Sequence, residues 1–333
     1  MANTADTLLY PFERQFLSLP DGARVAWLNA QLPDNRSTLD DDWRAALVCE
    51  QVERGAFLAL TKEGLSASPA LQEDNADYTL ILAGKHRRAN ETLIARAVGM
   101  TKADGMILVA GGKTDGIQSL RKTIAKYTPI GDVISKFHAQ VVWFSPDVAL
   151  AQALAHQDQP YAHQQIAAPG MFSHDRIDKA SALLATHFDD RLTGAVADFG
   201  CGWGYLAQQV LARGQPASLD LFEAHHPSLM AAQQNLSGAT IEVNGHWIDL
   251  TLEVVPRRYD AIVMNPPFHA GRQTQRSLGE AFIKSASKAL KPGGRLLMVA
   301  NTGLAYEPTL ESCFARFDEI DRADGFKVLS ARR

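Results

Sequence analysis

The sequence predicts an α/β fold built twice over, as two tandem domains whose strands are joined by helical crossovers. Three observations predict it. The chain has 333 residues, more than one hydrophobic core usually fills. From residue 176 onward, apolar strand-like runs alternate with helix-like ones, the pattern of crossover units in a parallel sheet covered on both faces. The order strand, loop, helix, Lys-x-x-Gly, strand also occurs twice, from Asp77 and again from Tyr259, with Lys102 and Gly105 falling where Lys291 and Gly294 do.

In chain order, residues 1–155 make the first domain and 156–165 the linker, the core of an Ala-, Gln- and His-rich run without clear period, "AQALAHQDQPYAHQQ". Residues 166–333 make the second domain. There "RIDKASALLATHF" reads as an amphipathic helix, "GAVADFG" as a strand ending in glycine and "YLAQQVLARG" as a helix closed by Gly214. Next come "ASLDLFE", the helix "PSLMAAQQNL", "TIEVNG", "YDAIVMN", the helix "GEAFIKSASKAL" and "GGRLLMVAN".

Composition sets the outer limits. With 46% hydrophobic and 21% charged residues, the chain is of the globular class. No apolar run approaches the roughly 20 residues of a membrane helix, and "MANTADTLLYPFERQF" lacks the basic start and long apolar core of a signal peptide. A cytoplasmic protein is expected. Cys49, Cys201 and Cys313 are far apart and have no ligand-spaced histidines, so neither a disulfide framework nor a metal site is expected. A net charge of −4 argues against indiscriminate coating of nucleic acid, which needs many cations on one surface. Locally, residues 81–126 hold 9 Lys and Arg against 3 acids, Arg87 and Arg88 among them. They form either a basic face or the solvated sides of surface helices.

"ADFGCGWGYLA" sets Gly200, Gly202 and Gly204 between a strand and a helix. Such glycines let the backbone take positive φ and approach a ligand, with helix-start amides aimed at it. The spacing is G-x-G-x-G, unlike the dinucleotide fingerprint. Glu223 ends the next strand, where a carboxylate accepts both hydroxyls of a ribose. Asp198, before the loop, is placed to hold an ammonium group, and Asp249, after a third strand, to accept from an adenine amino group. The set suits a ligand with adenosine at one end and an amino acid at the other, S-adenosyl-L-methionine.

"AIVMNPPFHAG" runs a buried strand into Asn265, Pro266, Pro267, Phe268 and His269. The exocyclic amino group of a nucleobase is a poor nucleophile because its lone pair is delocalised into the ring. Accepting both its N–H groups, on the Asn265 side-chain oxygen and the Pro266 carbonyl, drives the nitrogen toward pyramidal geometry. The prolines fix the carbonyl and leave no stray donor. Phe268 offers a face on which an extruded base stacks. In open α/β sheets ligands bind outside the carboxyl ends of the strands, where this stretch and the glycine loop both lie.

With those motifs in hand, the second half resembles the class I S-adenosylmethionine-dependent methyltransferases. The set "PGMFSHDRIDKAS", "ADFGCGWG", "NPPFH" and "ANTGLAY" is most similar to the bacterial ribosomal RNA guanine-N2 methyltransferases of the small subunit. The resemblance implies two tandem Rossmann-like methyltransferase domains, the first degenerate and serving RNA docking, the second catalytic. Gly200, Gly202, Gly204 and Glu223 would bind cofactor, although the family commonly has Asp at the last position. Asn265 and Pro266 would hold the guanine amino group and Phe268 would stack, with Phe172 over cofactor or base and Pro267 and His269 beside the substrate. The expected partner is ribosomal RNA or the small ribosomal subunit, met by a monomer. The same motif serves DNA adenine and protein glutamine methylation; Phe268, His269 and the two-half layout favour guanine in 16S RNA. The alternatives are a large-subunit (23S) guanine-N2 enzyme and a non-catalytic RNA-binding assembly factor.

Overall fold

The computed structural model describes residues 3–72, 75–155, 166–167, 170–267 and 272–333. Phe268 and His269 lie outside them. The chain divides into two compact units, Met1–Asp158 and Gln159–Arg333.

The first unit carries strands β1 (Val25–Leu28), β2 (Leu47–Glu50), β3 (Ser66–Ser68), β4 (Ala76–Leu82), β5 (Thr101–Gly112), β6 (Ile130–Lys136) and β7 (Ala139–Phe144). Its helices are α1 (Thr4–Glu13), α2 (Asp41–Ala46), α3 (Arg54–Lys62), α4 (Arg87–Met100), α5 (Ile117–Ile124) and α6 (Val148–Leu154). The second carries α7 (Lys179–Ala185), β8 (Thr193–Phe199), α8 (Tyr205–Arg213), β9 (Gln215–Glu223), α9 (His226–Asn235) and β10 (Glu242–Trp247). It continues with β11 (Tyr259–Met264), α10 (Arg272–Ala289), β12 (Leu290–Asn301), α11 (Glu307–Cys313), β13 (Arg316–Ala323) and β14 (Phe326–Arg332).

Each unit folds around a seven-stranded sheet, ordered β3-β2-β1-β4-β5-β7-β6 and β10-β9-β8-β11-β12-β14-β13. The two orders are the same permutation. Alternation along the central strands divides each core in two: Ile262 and Met264 pack on one face of the second sheet with Phe199, Phe222 and Met298, whereas Ala261 and Val263 pack on the other with Leu219, Leu297 and Val299. Full burial of each large apolar side chain contributes about 1.5–3 kcal/mol.

The Lys-x-x-Gly repeat has a structural cause. At the start of β4, Asp77 accepts the Arg24 amide at 2.8 Å and pairs with Lys102 at 2.6 Å. At the start of β11, Asp260 accepts the Ala195 amide at 2.8 Å and pairs with Lys291 at 2.8 Å. A Cβ on Gly105 would sit 2.8 Å from the Asp77 carbonyl, and one on Gly294 would sit 2.9 Å from the Lys291 carbonyl. Glycine is therefore required where the chain turns in against its neighbouring strand.

Two features differ from the sequence expectation. The sheets are mixed, because β5 and β12 each take an antiparallel neighbour, β7 and β14, itself paired antiparallel to β6 and β13. The hairpin of the second unit turns on Asp324 and Gly325, both at positive φ, as a tight two-residue hairpin demands. The repeat is also aligned one residue away from the reading by apolar runs. Matching Asp77 to Asp260 puts buried Leu82 at the position of Asn265.

Among the described residues no helix is long and apolar enough to cross a membrane, and no group of three or more His, Cys, Asp or Glu is placed to hold a metal ion.

Candidate active site

The site lies at the carboxyl ends of β8, β9 and β11. After β8 the chain turns through Gly200, Gly202 and Gly204 at φ of 74°, 55° and 96°. The Gly200 and Cys201 amides donate to the Phe222 carbonyl at 2.8 and 3.0 Å, clipping the loop to the end of β9. Glu223 holds it from the side, accepting the Gly202 amide on Oε2 at 2.8 Å and the His225 amide on Oε1 at 2.9 Å. Burial pushes the Glu223 carboxyl above its ordinary pKa, against the pull of these amides. A Cβ on Gly204 would meet Ala232 of α9 at 3.2 Å, so that glycine serves helix packing. Gly202 lines the space beside the loop, and a Cβ built on it would meet no described atom beyond its chain neighbours within 4 Å.

That space is a cavity of about 260 Å³. Phe222, Ile248, Leu250, Leu278 and Phe282 form apolar walls, while Glu223 and Asp249 supply carboxylates. Asp249 is fixed in its rotamer by Thr251, whose amide and hydroxyl donate to its Oδ1 at 2.9 and 2.6 Å. Phe172, Gly200, Gly202 and Asn265 line both this cavity and a smaller adjoining recess of about 40 Å³. A larger cleft, about 590 Å³ and lined by Asp21, Arg24 and Asp40 among others, sits where the chain enters β1 and β2. That is the opposite end of the strands from the one where open sheets bind ligands.

Asn265 follows directly on β11, which pairs with β8 on one side and β12 on the other. Pro266 and Pro267 have no N–H to continue those ladders, so the strand stops there. The Asn265 Nδ2 donates to Asp178 Oδ2 at 2.9 Å and to Ser181 Oγ at 2.8 Å. Asp178 caps α7, accepting the Ser181 amide on the same oxygen at 2.8 Å. The other end of the amide, Oδ1, is buried without a partner among the described residues.

Asp198 is the second orphan. It is fully buried, neither of its oxygens has a partner among the described residues in ordinary hydrogen-bond geometry, and it is absent from the cavity wall. Burial raises its pKa to about 8; the Ala207 amide lowers it and the Glu223 charge raises it further.

Comparison with known proteins follows the same line. Residues 163–330 match the methyltransferase small domain family. The ribosomal RNA small subunit methyltransferase C of Pseudomonas paraeruginosa is 35% identical over 69% of this chain and 71% of its own length. That of Pseudomonas aeruginosa is 34% identical over 75% and 77%. The chain belongs to this methyltransferase family. A solved relative is the Thermus thermophilus 16S rRNA N2 G1207 methyltransferase (RsmC) in complex with AdoMet and guanosine. It aligns with a TM-score of 0.80 at 25% identity, over 100% of this chain and 93% of that one. The α/β fold in two methyltransferase-like halves, expected from sequence, is the fold of this family.

The structure gathers Phe172, Gly200, Gly202, Glu223, Asp249, Asn265 and Pro267 around one cavity. Pro266 is buried behind it, and Phe268 and His269 lie outside the described residues. Arg87 and Arg88 belong to the first unit, exposed at the start of α4, with Arg87 paired to Glu91 at 2.7 Å. Sequence reasoning missed Asp178 and Ser181. The Asp-x-x-Ser spacing at the head of "DKASALLA" signals a helix cap but says nothing of the Asn265 contact.

Proposed function

We infer that the second unit transfers a methyl group from S-adenosylmethionine to the N2 amino group of a guanine in 16S ribosomal RNA. The observation that carries this reading is the Asn265 amide. It ends a central strand beside the glycine loop, spends both its hydrogens on Asp178 and Ser181, and keeps a buried oxygen for a donor. The residues present also fit the cofactor: an apolar slot with Glu223 and Asp249 on its wall and Gly202, without a side chain, on its lining.

S-adenosylmethionine supplies a methyl group on a sulfonium centre that needs no metal for activation. Glu223 accepts from the ribose hydroxyls and Asp249 from the adenine amino group. Asp198, buried beside the glycine loop with a raised pKa, would hold the ammonium group in its ionised form. Asn265 Oδ1 and the Pro266 carbonyl accept the two N–H bonds of the guanine amino group, which localises its lone pair, and Phe268 stacks on the base. Pro267 and Phe172 close the cavity around it, with His269 in support. Alignment of acceptor and donor supplies most of the acceleration. Every group assigned to the chemistry comes from one unit, so the chemistry calls for no residue of a second copy; a monomer acting in the cytoplasm with the ribosomes is the proposed species.

We assign the first unit to RNA docking through Arg87 and Arg88. Where the second unit has Glu223 and Asn265 at its strand ends, the first has Gln51 and Leu82, and nearby Glu50 holds Arg96 through two bonds of 2.7 Å while Asn90 bonds both the amide and the carbonyl of Gly84.

The test is transfer of radiolabelled methyl to ribosomal RNA followed by digestion to nucleosides. Label in N2-methylguanosine of the 16S RNA is expected. Label confined to 23S RNA or to another nucleoside overturns the assignment, and no label with a bound cofactor leaves an assembly factor.

A further inference from the structure

We propose that Asp178 and Ser181 are positioning residues that determine which end of the Asn265 amide meets the substrate. The proposal rests on Asn265 as the group that touches the guanine, and extends that reading to how its orientation is set.

A primary amide is nearly symmetrical in shape and opposite in chemistry at its two ends. Turned one way, Asn265 offers an acceptor and selects an amino group; turned the other way, it offers donors and selects a carbonyl oxygen. Guanine presents both kinds of group on one edge, the amino group on C2 and the carbonyl on C6 with N1 between them, so the orientation of this one amide decides what is aligned for methyl transfer. Asp178 removes the ambiguity. Its carboxylate oxygen lies 2.9 Å from the amide nitrogen and only accepts, so the flipped amide would set oxygen against oxygen. Ser181 Oγ takes the second hydrogen at 2.8 Å. Both donors are then spent, and Oδ1 is left as the one open function of the side chain.

Asp178 is itself fixed. The oxygen that holds Asn265 also accepts the Ser181 amide at 2.8 Å, so the backbone at the head of α7 sets the carboxylate rotamer. A helix cap, a carboxylate, an amide and the substrate nitrogen thus form one chain of acceptors and donors. Charge on Asp178 further polarises the amide, making Oδ1 a stronger acceptor.

The arrangement makes a prediction that a merely structural role does not. Asp178→Ala removes both the acceptor that faces the Asn265 amide and the cap of α7. Asp178→Asn keeps an oxygen at that place, because the Ser181 amide and the Asn265 amide both demand an acceptor there, so cap and orientation survive together. Ser181→Ala leaves the cap, which uses the backbone amide, and removes only the second acceptor.

The experiment measures single-turnover methyl transfer to ribosomal RNA by the full chain, with melting temperatures as a folding control. Asp178→Ala is expected to lower the rate at least about tenfold, within the loss seen for one preorganised polar group, and Asp178→Asn to recover most of that loss. A wild-type rate for Asp178→Ala, or no recovery in a folded Asp178→Asn, overturns the proposal. If Asp178→Ala does not fold, Ser181→Ala decides: an unchanged rate overturns the proposal and a rate lowered severalfold supports it. Failure of the underlying reading looks different, because the wild-type protein itself would then put no methyl on guanine N2.

Discussion

Gln51 occupies in the first unit the position that Glu223 holds in the second. Trp27 faces Cys49 across β1 and β2 as Asp198 faces Leu221 across β8 and β9, and two residues further along lie Gln51 and Glu223. Each accepts the amide two residues ahead of it, Glu53 at 2.8 Å and His225 at 2.9 Å. The turn is kept and the charge is gone. By the same register Trp27 stands for Asp198 and Leu82 for Asn265, so the first unit keeps these strand ends without the two carboxylates and without the Asn265 amide.

The first prediction is that one S-adenosylmethionine binds per chain, at the second unit. Glu223→Ala should weaken binding by roughly 1–3 kcal/mol, the cost of leaving buried hydroxyls unpaired. Gln51→Ala should leave affinity and stoichiometry as they are. Calorimetry giving two sites, or unchanged affinity in Glu223→Ala, would remove Glu223 from the role given to it.

A second prediction concerns pH. With its pKa raised to about 8 by burial, Asp198 is largely protonated in the native protein at neutral pH, whereas in the unfolded chain it ionises near 3.9. Stability should therefore fall as pH rises from about 4 to about 8. Asp198→Asn should raise the melting temperature at pH 8, and the gain should shrink as pH is lowered toward 4. Binding an ammonium group requires the ionised form, so cofactor affinity should rise with pH through the same window and release protons in calorimetry. A variant with unchanged melting temperature and wild-type affinity would show that Asp198 does neither.

Much of this was legible in the sequence, for a physical reason. Alternating and helical hydrophobic patterns are local, so the strands β8 to β12 and the helices between them could be read directly. The glycine loop and Asn-Pro-Pro also carry their chemistry within a few residues. Contacts across the fold could not be read. Asn265 meets Asp178 and Ser181 over separations of 87 and 84 residues, and a strand end does not reveal which loop will face it. The β13–β14 hairpin went unread, although Asp324-Gly325 stands between its strands, and nothing local says that β14 inserts between β12 and β13. The repeat was visible but misaligned by one residue, because apolar runs do not reveal which pleats pair across the ladder.

The third prediction tests the first unit. Charge reversal at Arg87 and Arg88 should weaken RNA binding and make it less dependent on salt, the log–log slope shrinking by close to one for each phosphate no longer neutralised. Cofactor affinity should not change, since both side chains lie outside the catalytic unit. Equal RNA affinity and slope in the variant and the wild type would end the docking role.

The last prediction concerns what Asn265 contributes to the reaction. In planar guanine the amino lone pair is tied up in the ring, and hydrogen bonds to the two N–H groups are only moderately strong. As the nitrogen pyramidalises and takes positive charge, the same N–H groups become better donors, so an acceptor already in place gains strength as the transition state is reached. Asn265 Oδ1 is in place beforehand, because Asp178 and Ser181 hold the amide from the other end. Removing it should therefore act on chemistry more than on binding. Asn265→Ala should lower kcat about 10²-fold or more, in the range for one preorganised polar group, with small changes in cofactor affinity and in the KM for RNA. Phe268→Ala should raise KM as well, because stacking holds the base before any bond is made. Single-turnover methyl transfer by Asn265→Ala at the wild-type rate would reduce the Asn-Pro-Pro stretch to a turn that ends a strand.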